Sequence, residues 1–321
     1  MRRAIIATVR NEESRLDEFL SSLERQTVRP DVVIVTDGGS TDGTPQLLEA
    51  FAQRTALPFR WESAPGNRSL GRNTAIRLAD ADVIASTDVS VLDSMWFERI
   101  VGPIERGEAD VVAGWYELLV ESQREKALGL LTQYSIDQIR PDTFLPSSRS
   151  VAFTMAAWQR VGGYPEDLDT TEDTVFDLRL REAGLRFTFE PRAIVRWRPA
   201  ASLGAVYRMY RQFAESDGQA RIFLMGGSRY GLVYGAYAIG LGLLFAGILW
   251  WPYWILLILG AAAYIIFRIR KVLREGLWTQ IPYAIAVGFA LDAAMLAGYF
   301  RGFLRGGKRG RGTSPQARSN R

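Results

Sequence analysis

Residues 162–184, GGYPEDLDTTEDTVFDLRLREAG, set two adjacent carboxylates, Glu172 and Asp173, at the start of an amphipathic helix. Thr170 or Thr171 can cap that helix. Val175, Phe176, Leu178 and Leu180 lie near helical spacing, and Gly184 offers a stop. Free amides and the helix dipole in a first turn favour ionised carboxylates, so an acid held there is a base at neutral pH. First turns also attract acids that have no chemical duty. Further along the helix, Asp177 and Glu182 read as solvated.

Two other segments carry acids at places where ligands collect. Residues 37–44, DGGSTDGT, follow an apolar run and are closed by Pro45 at a first helical position. The glycines let a backbone approach a ligand closely, and Asp37 can accept hydrogen bonds from a base or ribose. The same residue types also make ordinary turns. Residues 86–90, STDVS, place Asp88 beside the neutral Ser90, so the oxygens available to a hard cation there are few.

The surrounding pattern supplies the scaffold. Residues 4–9 and 32–36 are nearly continuous β-branched apolar runs, as in parallel strands buried on both faces. Leu16, Phe19, Leu20 and Leu23 between them recur at helical spacing. The alternation continues through a helix over 45–53, a strand over 59–62, a helix over 72–79 and a strand over 83–86. A further strand covers 111–120, and residues 145–150 read as a loop. This predicts an α/β domain with a mostly parallel sheet whose ligands sit at the carboxyl ends of the strands.

Composition narrows the chemistry. The chain of 321 residues has no His and no Cys, which excludes imidazole bases, thiolate nucleophiles and the usual structural zinc. Acid–base work falls to carboxylates. The net charge is +4, but after residue 231 the only acids are Glu275 and Asp292, so the positive excess lies there and the first 230 residues are net negative. Nucleic acid is therefore not expected as a partner, and anionic lipid is. The opening MRRAIIATVRNEE is too short and too polar in its apolar run for a signal peptide, so the N-terminal domain is expected in the cytoplasm.

In order and spacing, Asn11-Glu12-Glu13, the 37–44 loop, Gly71-Arg72-Asn73, Thr87-Asp88-Val89-Ser90 and the 162–184 stretch resemble the motifs of family 2 glycosyltransferases with the GT-A fold. The resemblance covers roughly residues 3–200 and implies a Rossmann-like sheet, a nucleotide-sugar donor and inverting transfer. It implies that Asp37 contacts the nucleotide base with Arg72 close by, that Asp88 is the first acid of the DXD motif, and that Asp173 is the general base with Glu172 orienting it. Ser90 stands where the second acid of that motif belongs, and Trp197 stands near the place of a His that often follows the last strand. Mg²⁺ or Mn²⁺ would thus be held through Asp88 and the donor diphosphate. The alternative is that Arg149, Arg196 or Arg198 neutralises the leaving group, each of which also reads as a surface arginine.

Beyond the domain, Leu203, Val206, Tyr207, Tyr210, Phe213 and Ala214 share a helical face that suits either a lipid interface or core packing, with Asp217-Gly218 as its end. Residues 232–267 form two uncharged apolar runs around Trp250-Trp251-Pro252, predicting a helical hairpin across a bilayer. Residues 281–300 are long enough to cross but contain Pro282 and Asp292 and carry basic residues on both flanks. A re-entrant or interfacial segment is expected, with Asp292 facing headgroups or protein. The predicted layout is a GT-A domain over 1–200, an amphipathic interface segment over 201–230, a membrane region over 231–300, and a basic disordered tail over 301–321. The function expected is single sugar transfer to a lipid-linked or membrane-proximal glycan acceptor at the cytoplasmic membrane face. A catalytically silent membrane scaffold and a processive polysaccharide synthase are the alternatives. The Gln-x-x-Arg-Trp motif of processive members is absent.

Overall fold

The computed structural model describes residues 1–133, 136–168, 170–200, 202–219 and 229–309. In chain order the elements are β1 (Arg3–Val9), α1 (Glu13–Glu24), β2 (Val32–Asp37), α2 (Thr44–Arg54), β3 (Phe59–Ser63), α3 (Arg68–Ala79), β4 (Val83–Thr87), β5 (Val91–Leu92), α4 (Trp96–Glu105), β6 (Val111–Leu118), α5 (Gln123–Thr132), β7 (Ser150–Thr154), α6 (Met155–Val161), α7 (Glu172–Glu182), β8 (Phe187–Trp197), α8 (Leu203–Gln219), α9 (Arg229–Leu249), α10 (Pro252–Arg274) and α11 (Ile281–Arg309). They fall into two compact units. One joins Met1–Leu119 to Tyr134–Arg198, and the other joins Val120–Gln133 to the chain from Pro199 onward.

The first unit is built on an eight-stranded sheet in the order β3-β2-β1-β4-β7-β6-β8-β5. β3, β2, β1 and β4 are parallel, as the apolar β-branched runs of β1 and β2 predict. β7 is antiparallel to both β4 and β6, and β5 to β8, so the sheet is mixed where the sequence suggests a mostly parallel one. The connection from β6 to β7 places its helix, α5, in the other unit, and no crossover helix in this unit turns the chain into a parallel return. Alternate residues of β1 serve both faces. Ile5, Ala7 and Val9 pack with α1, α2 and α4 through Phe19, Phe51 and Trp96, while Ala4 and Ile6 join the cluster of Ile76, Ala157 and Phe176 from α3, α6 and α7. Each large side chain buried in these layers contributes about 1.5–3 kcal/mol. Gly71 lets α3 lie close on the sheet, since a Cβ there would sit 2.5 Å from Thr8 Cγ2 and 3.1 Å from Thr36 Oγ1.

In the second unit, α5 inserts Ala127 among Ile269, Val272 and Ala284, and Leu128 among Val206, Val287 and Leu291. The apolar stripe of α8 is therefore used for packing. The helix is described as far as Gln219, one residue past the Asp217-Gly218 expected as its end, and Gly218 is a close-approach position against Tyr299 and Phe303 of α11. Gly298 and Gly302 make the same approach from α11, against Arg211, Ala214 and Glu215 of α8. Glu215 pairs with Arg301 at 3.4 Å and also with Arg305.

Among the described residues, three helices are long and apolar enough to cross a membrane, over Gly231–Leu249, Pro252–Arg274 and Trp278–Arg305. Most of the large apolar side chains on the first two face outward, among them Ile239, Phe245, Ile248, Ile258 and Leu259. The third segment, expected as re-entrant or interfacial, has no break at which the chain would turn back. It is one continuous helix past Pro282, which sits in its first turn where no amide is lost. Asp292 is 1% exposed, pairs with Arg268 at 2.9 Å and accepts hydrogen bonds from Tyr264 at 2.8 Å and Tyr237 at 3.4 Å. Arg268 is thereby turned inward and is not a free flanking charge. The helix also runs on to Arg309, into the stretch expected as a disordered tail, and the remainder of that tail lies outside the described residues.

Candidate active site

The parallel strands end on one edge, and the loops after β1 and β2 are stitched together there. Asn11, in left-handed backbone at φ 55, accepts a hydrogen bond from Thr41 N at 2.8 Å and donates its own amide to Ser40 Oγ at 2.8 Å. The Glu12 amide reaches Thr44 Oγ1 at 2.9 Å, and Gly43 N donates to Glu13 Oε2 at 3.0 Å. The motif after β1 thus builds the glycine-rich loop after β2. Within that loop Asp37 is buried and accepts from Ser40 N at 3.1 Å and from Ser40 Oγ at 2.5 Å.

Asp88 follows β4, and Arg149 immediately precedes β7. The antiparallel register pairs Thr87 with Ser150, which brings the two charged residues side by side although 61 positions separate them. Arg149 Nε donates to Asp88 Oδ2 at 2.7 Å, and Ser90 Oγ bonds Asp88 Oδ1. The guanidinium lies over the Trp197 ring at 4.2 Å. Burial opposes the charge on Asp88, but Arg149 and the Ser90 hydroxyl outweigh it and hold the carboxyl below its ordinary range. Glu12 sits on the same edge with its carboxyl pushed up, first by burial and also by the nearness of Asp88.

α3 and α7 meet through a buried ion pair, Arg72 Nη1 to Glu172 Oε1 at 2.5 Å, with the guanidinium 5.4 Å from the Tyr164 ring. Asn73 secures the junction by donating to Tyr164 O at 2.9 Å and Glu166 Oε1 at 2.8 Å while accepting from Tyr164 N and Trp158 Nε1. Thr171 precedes α7 in left-handed backbone at φ 68 and makes no side-chain capping bond, in contrast to the cap expected of it. A β-branched residue in that region carries strain of order 1–3 kcal/mol, which structures concentrate at functional sites.

Asp173 is half-buried, and its Oδ1 accepts from Thr174 N at 2.8 Å. Its carboxyl is pushed up, by burial first and by Glu172 next, against the lowering pull of Arg72 and the Thr174 and Ser148 amides. Burial and Glu172 thus outweigh the lowering effect of the helix start, and the net effect is a stronger base. One turn on, Asp177 is not solvated. It is 2% exposed, its Oδ2 has no partner among the described residues, and burial with Asp173 nearby pushes its carboxyl well up. Glu182 is exposed, as read.

The structure gathers Arg72, Glu172 and Asp173 at one junction and Asp88, Ser90 and Arg149 at the adjoining strand end. Arg196 instead pairs with Glu117 at 3.4 Å and Arg198 with Glu18 at 2.9 Å. Asn73, which holds this junction in place, lies in the Gly71-Arg72-Asn73 motif but its bonds are shown only by the fold, and Ser148 stands out by no residue type or spacing. The fit to a divalent cation is poor. Asp88 has both oxygens engaged, and no group of three or more acids placed to hold a metal ion occurs among the described residues.

Residues 4–162 match the family model for glycosyl transferase family 2. The uncharacterized glycosyltransferase EpsJ of Bacillus subtilis is 30% identical over 116 residues, 36% of this chain and 34% of that protein, so the chain spans about a third of its length. The succinoglycan biosynthesis protein ExoA of Rhizobium meliloti is 24% identical over 327 positions, 94% of each chain. Among solved structures, the mannosyltransferase PcManGT from Pyrobaculum calidifontis, in complex with GDP-Man and Mn²⁺, has a TM-score of 0.62 at 18% identity, covering 95% of this chain and 87% of that one. The fold is thus GT-A-like, and by its family model and relatives this chain's α/β unit belongs to glycosyltransferase family 2.

Proposed function

We propose that this chain is an inverting glycosyltransferase that moves a sugar from a nucleotide-sugar donor to a lipid-linked or membrane-proximal acceptor at the cytoplasmic face, in cell-envelope glycan or glycolipid synthesis. The observation that carries the reading is Asp173, a half-buried carboxylate whose proton affinity is raised, next to the buried Arg72–Glu172 pair. An acceptor hydroxyl is a weak nucleophile. A positioned carboxylate of raised basicity takes its proton as the oxygen attacks the anomeric carbon, and the nucleoside diphosphate leaves from the opposite face. Asp37 and Asp88 hold the donor from the ends of β2 and β4. The names of the relatives, which include succinoglycan and O-antigen enzymes, favour an envelope glycan, and three helices apolar enough to span a bilayer favour an acceptor confined to the membrane.

The test is full-length protein in detergent, assayed for transfer from a panel of UDP-, GDP- and dTDP-sugars. D173N is expected to lower turnover by about 10²–10⁴-fold while the donor still raises the melting temperature. Unchanged turnover in D173N would remove Asp173 from the chemistry.

A further inference from the structure

We propose that Arg149 supplies the positive charge that receives the departing diphosphate, so that this chain transfers sugar without a divalent cation. The inference rests on the nucleotide-sugar reading above and specifies its leaving-group chemistry. Asp88, the carboxylate at the end of β4, is already neutralised by Arg149 Nε at 2.7 Å, and its other oxygen is held by Ser90 Oγ. A cation bound there would have one acid for a ligand and a guanidinium against it, which is too little for an ion that takes six or more oxygens.

Arg149 is well prepared for the alternative task. The β4–β7 register fixes where it emerges, and Trp197 supports the flat face of its guanidinium at 4.2 Å. Asp88 takes only Nε. Nη1 and Nη2 carry no hydrogen bond among the described residues, and the side chain keeps 24% exposure. Four N–H groups of a planar fork are thus left to meet phosphate oxygens, the geometry in which arginine binds them in pairs. In the transfer, the acceptor oxygen forms the new bond to the anomeric carbon and its proton passes to Asp173. The bond from that carbon to the diphosphate oxygen breaks, and its electron pair leaves on the diphosphate facing Arg149.

The probes are UDP and GDP on full-length protein in detergent, first stripped with EDTA and then supplied with Mn²⁺, read by thermal shift and calorimetry. The expected result is that one of them binds equally tightly in both conditions. R149A should weaken that binding about tenfold or more in EDTA, with R149K in between, and Mn²⁺ should restore part of it because Asp88 is then free. Wild-type binding that appears only with Mn²⁺ overturns the proposal and leaves the nucleotide-sugar reading standing, and so does R149A binding as tightly as wild type in EDTA. No binding of UDP, GDP or, as a third probe, dTDP in any condition overturns both. The wild-type comparison needs no variant to fold.

Discussion

Arg72 and Glu172, separated by 100 positions in the chain, meet at 2.5 Å inside the α/β unit with side chains 8% and 4% exposed. The pair joins α3 to the first turn of α7, and through that turn it sets the charge environment of Asp173.

That coupling makes the pH dependence of transfer readable. Glu172 helps raise the Asp173 carboxyl, and Arg72 lowers it. In E172Q the like charge is gone and Arg72 is released from its partner, so both changes lower the affinity of Asp173 for its proton. The acid limb of the kcat/KM profile is expected to move to lower pH. Thermal unfolding of the same variant measures what the lost ion pair contributes to the fold. A limb that stays in place would show that its titrating group is not Asp173.

Asp177 predicts a stability effect of definite sign. Its folded carboxyl keeps its proton to higher pH than the ordinary value of 3.8. The folded state therefore binds more protons than the unfolded one once pH rises past that value, and stability falls with rising pH until the buried group ionises. D177N removes the titration. It should be more stable than wild type at neutral pH, with the gap closing as pH falls toward the ordinary carboxyl value. Melting curves across that range decide it, and a constant difference would place the cause outside Asp177 ionisation.

The α8–α11 contact depends on absent side chains. Gly302→Leu would drive a side chain into the Glu215 backbone, at a cost of about 1–3 kcal/mol or separation of the helices. Lower thermal stability and faster proteolysis of the detergent-solubilised protein are expected. Arg305→Gln, which removes one charge and no packing at the helix contact, should have a much smaller effect, because its partner Glu215 also holds Arg301.

The parallel half of the fold and the three acids Asp37, Asp88 and Asp173 were legible because each depends on local pattern: a continuous apolar run, a turn after it, a helix start. Arg149 could be suspected but not singled out from Arg196 and Arg198. What selects it is the antiparallel register of β4 and β7, a long-range fact that no local spacing records. Asp177 misled for the opposite reason. An acid among Phe176, Leu178 and Leu180 looks like the solvent side of a helix, and only the packing of Tyr164 and Phe176, 4.1 Å apart and stacked, shows that this side faces inward.

The course of the chain through α5 bears on the order in which the protein can be completed during synthesis. Ala127 and Leu128 leave the ribosome well before Val206, Ile269 and Val287, the residues they pack against. Until the last helix arrives, the apolar face of α5 stays uncovered, and it must be kept from wrong partners while the later helices are made. A fragment cut after the α/β unit would retain this unfinished surface permanently, so a soluble version would need residues 120–133 replaced as well as the C-terminal helices removed.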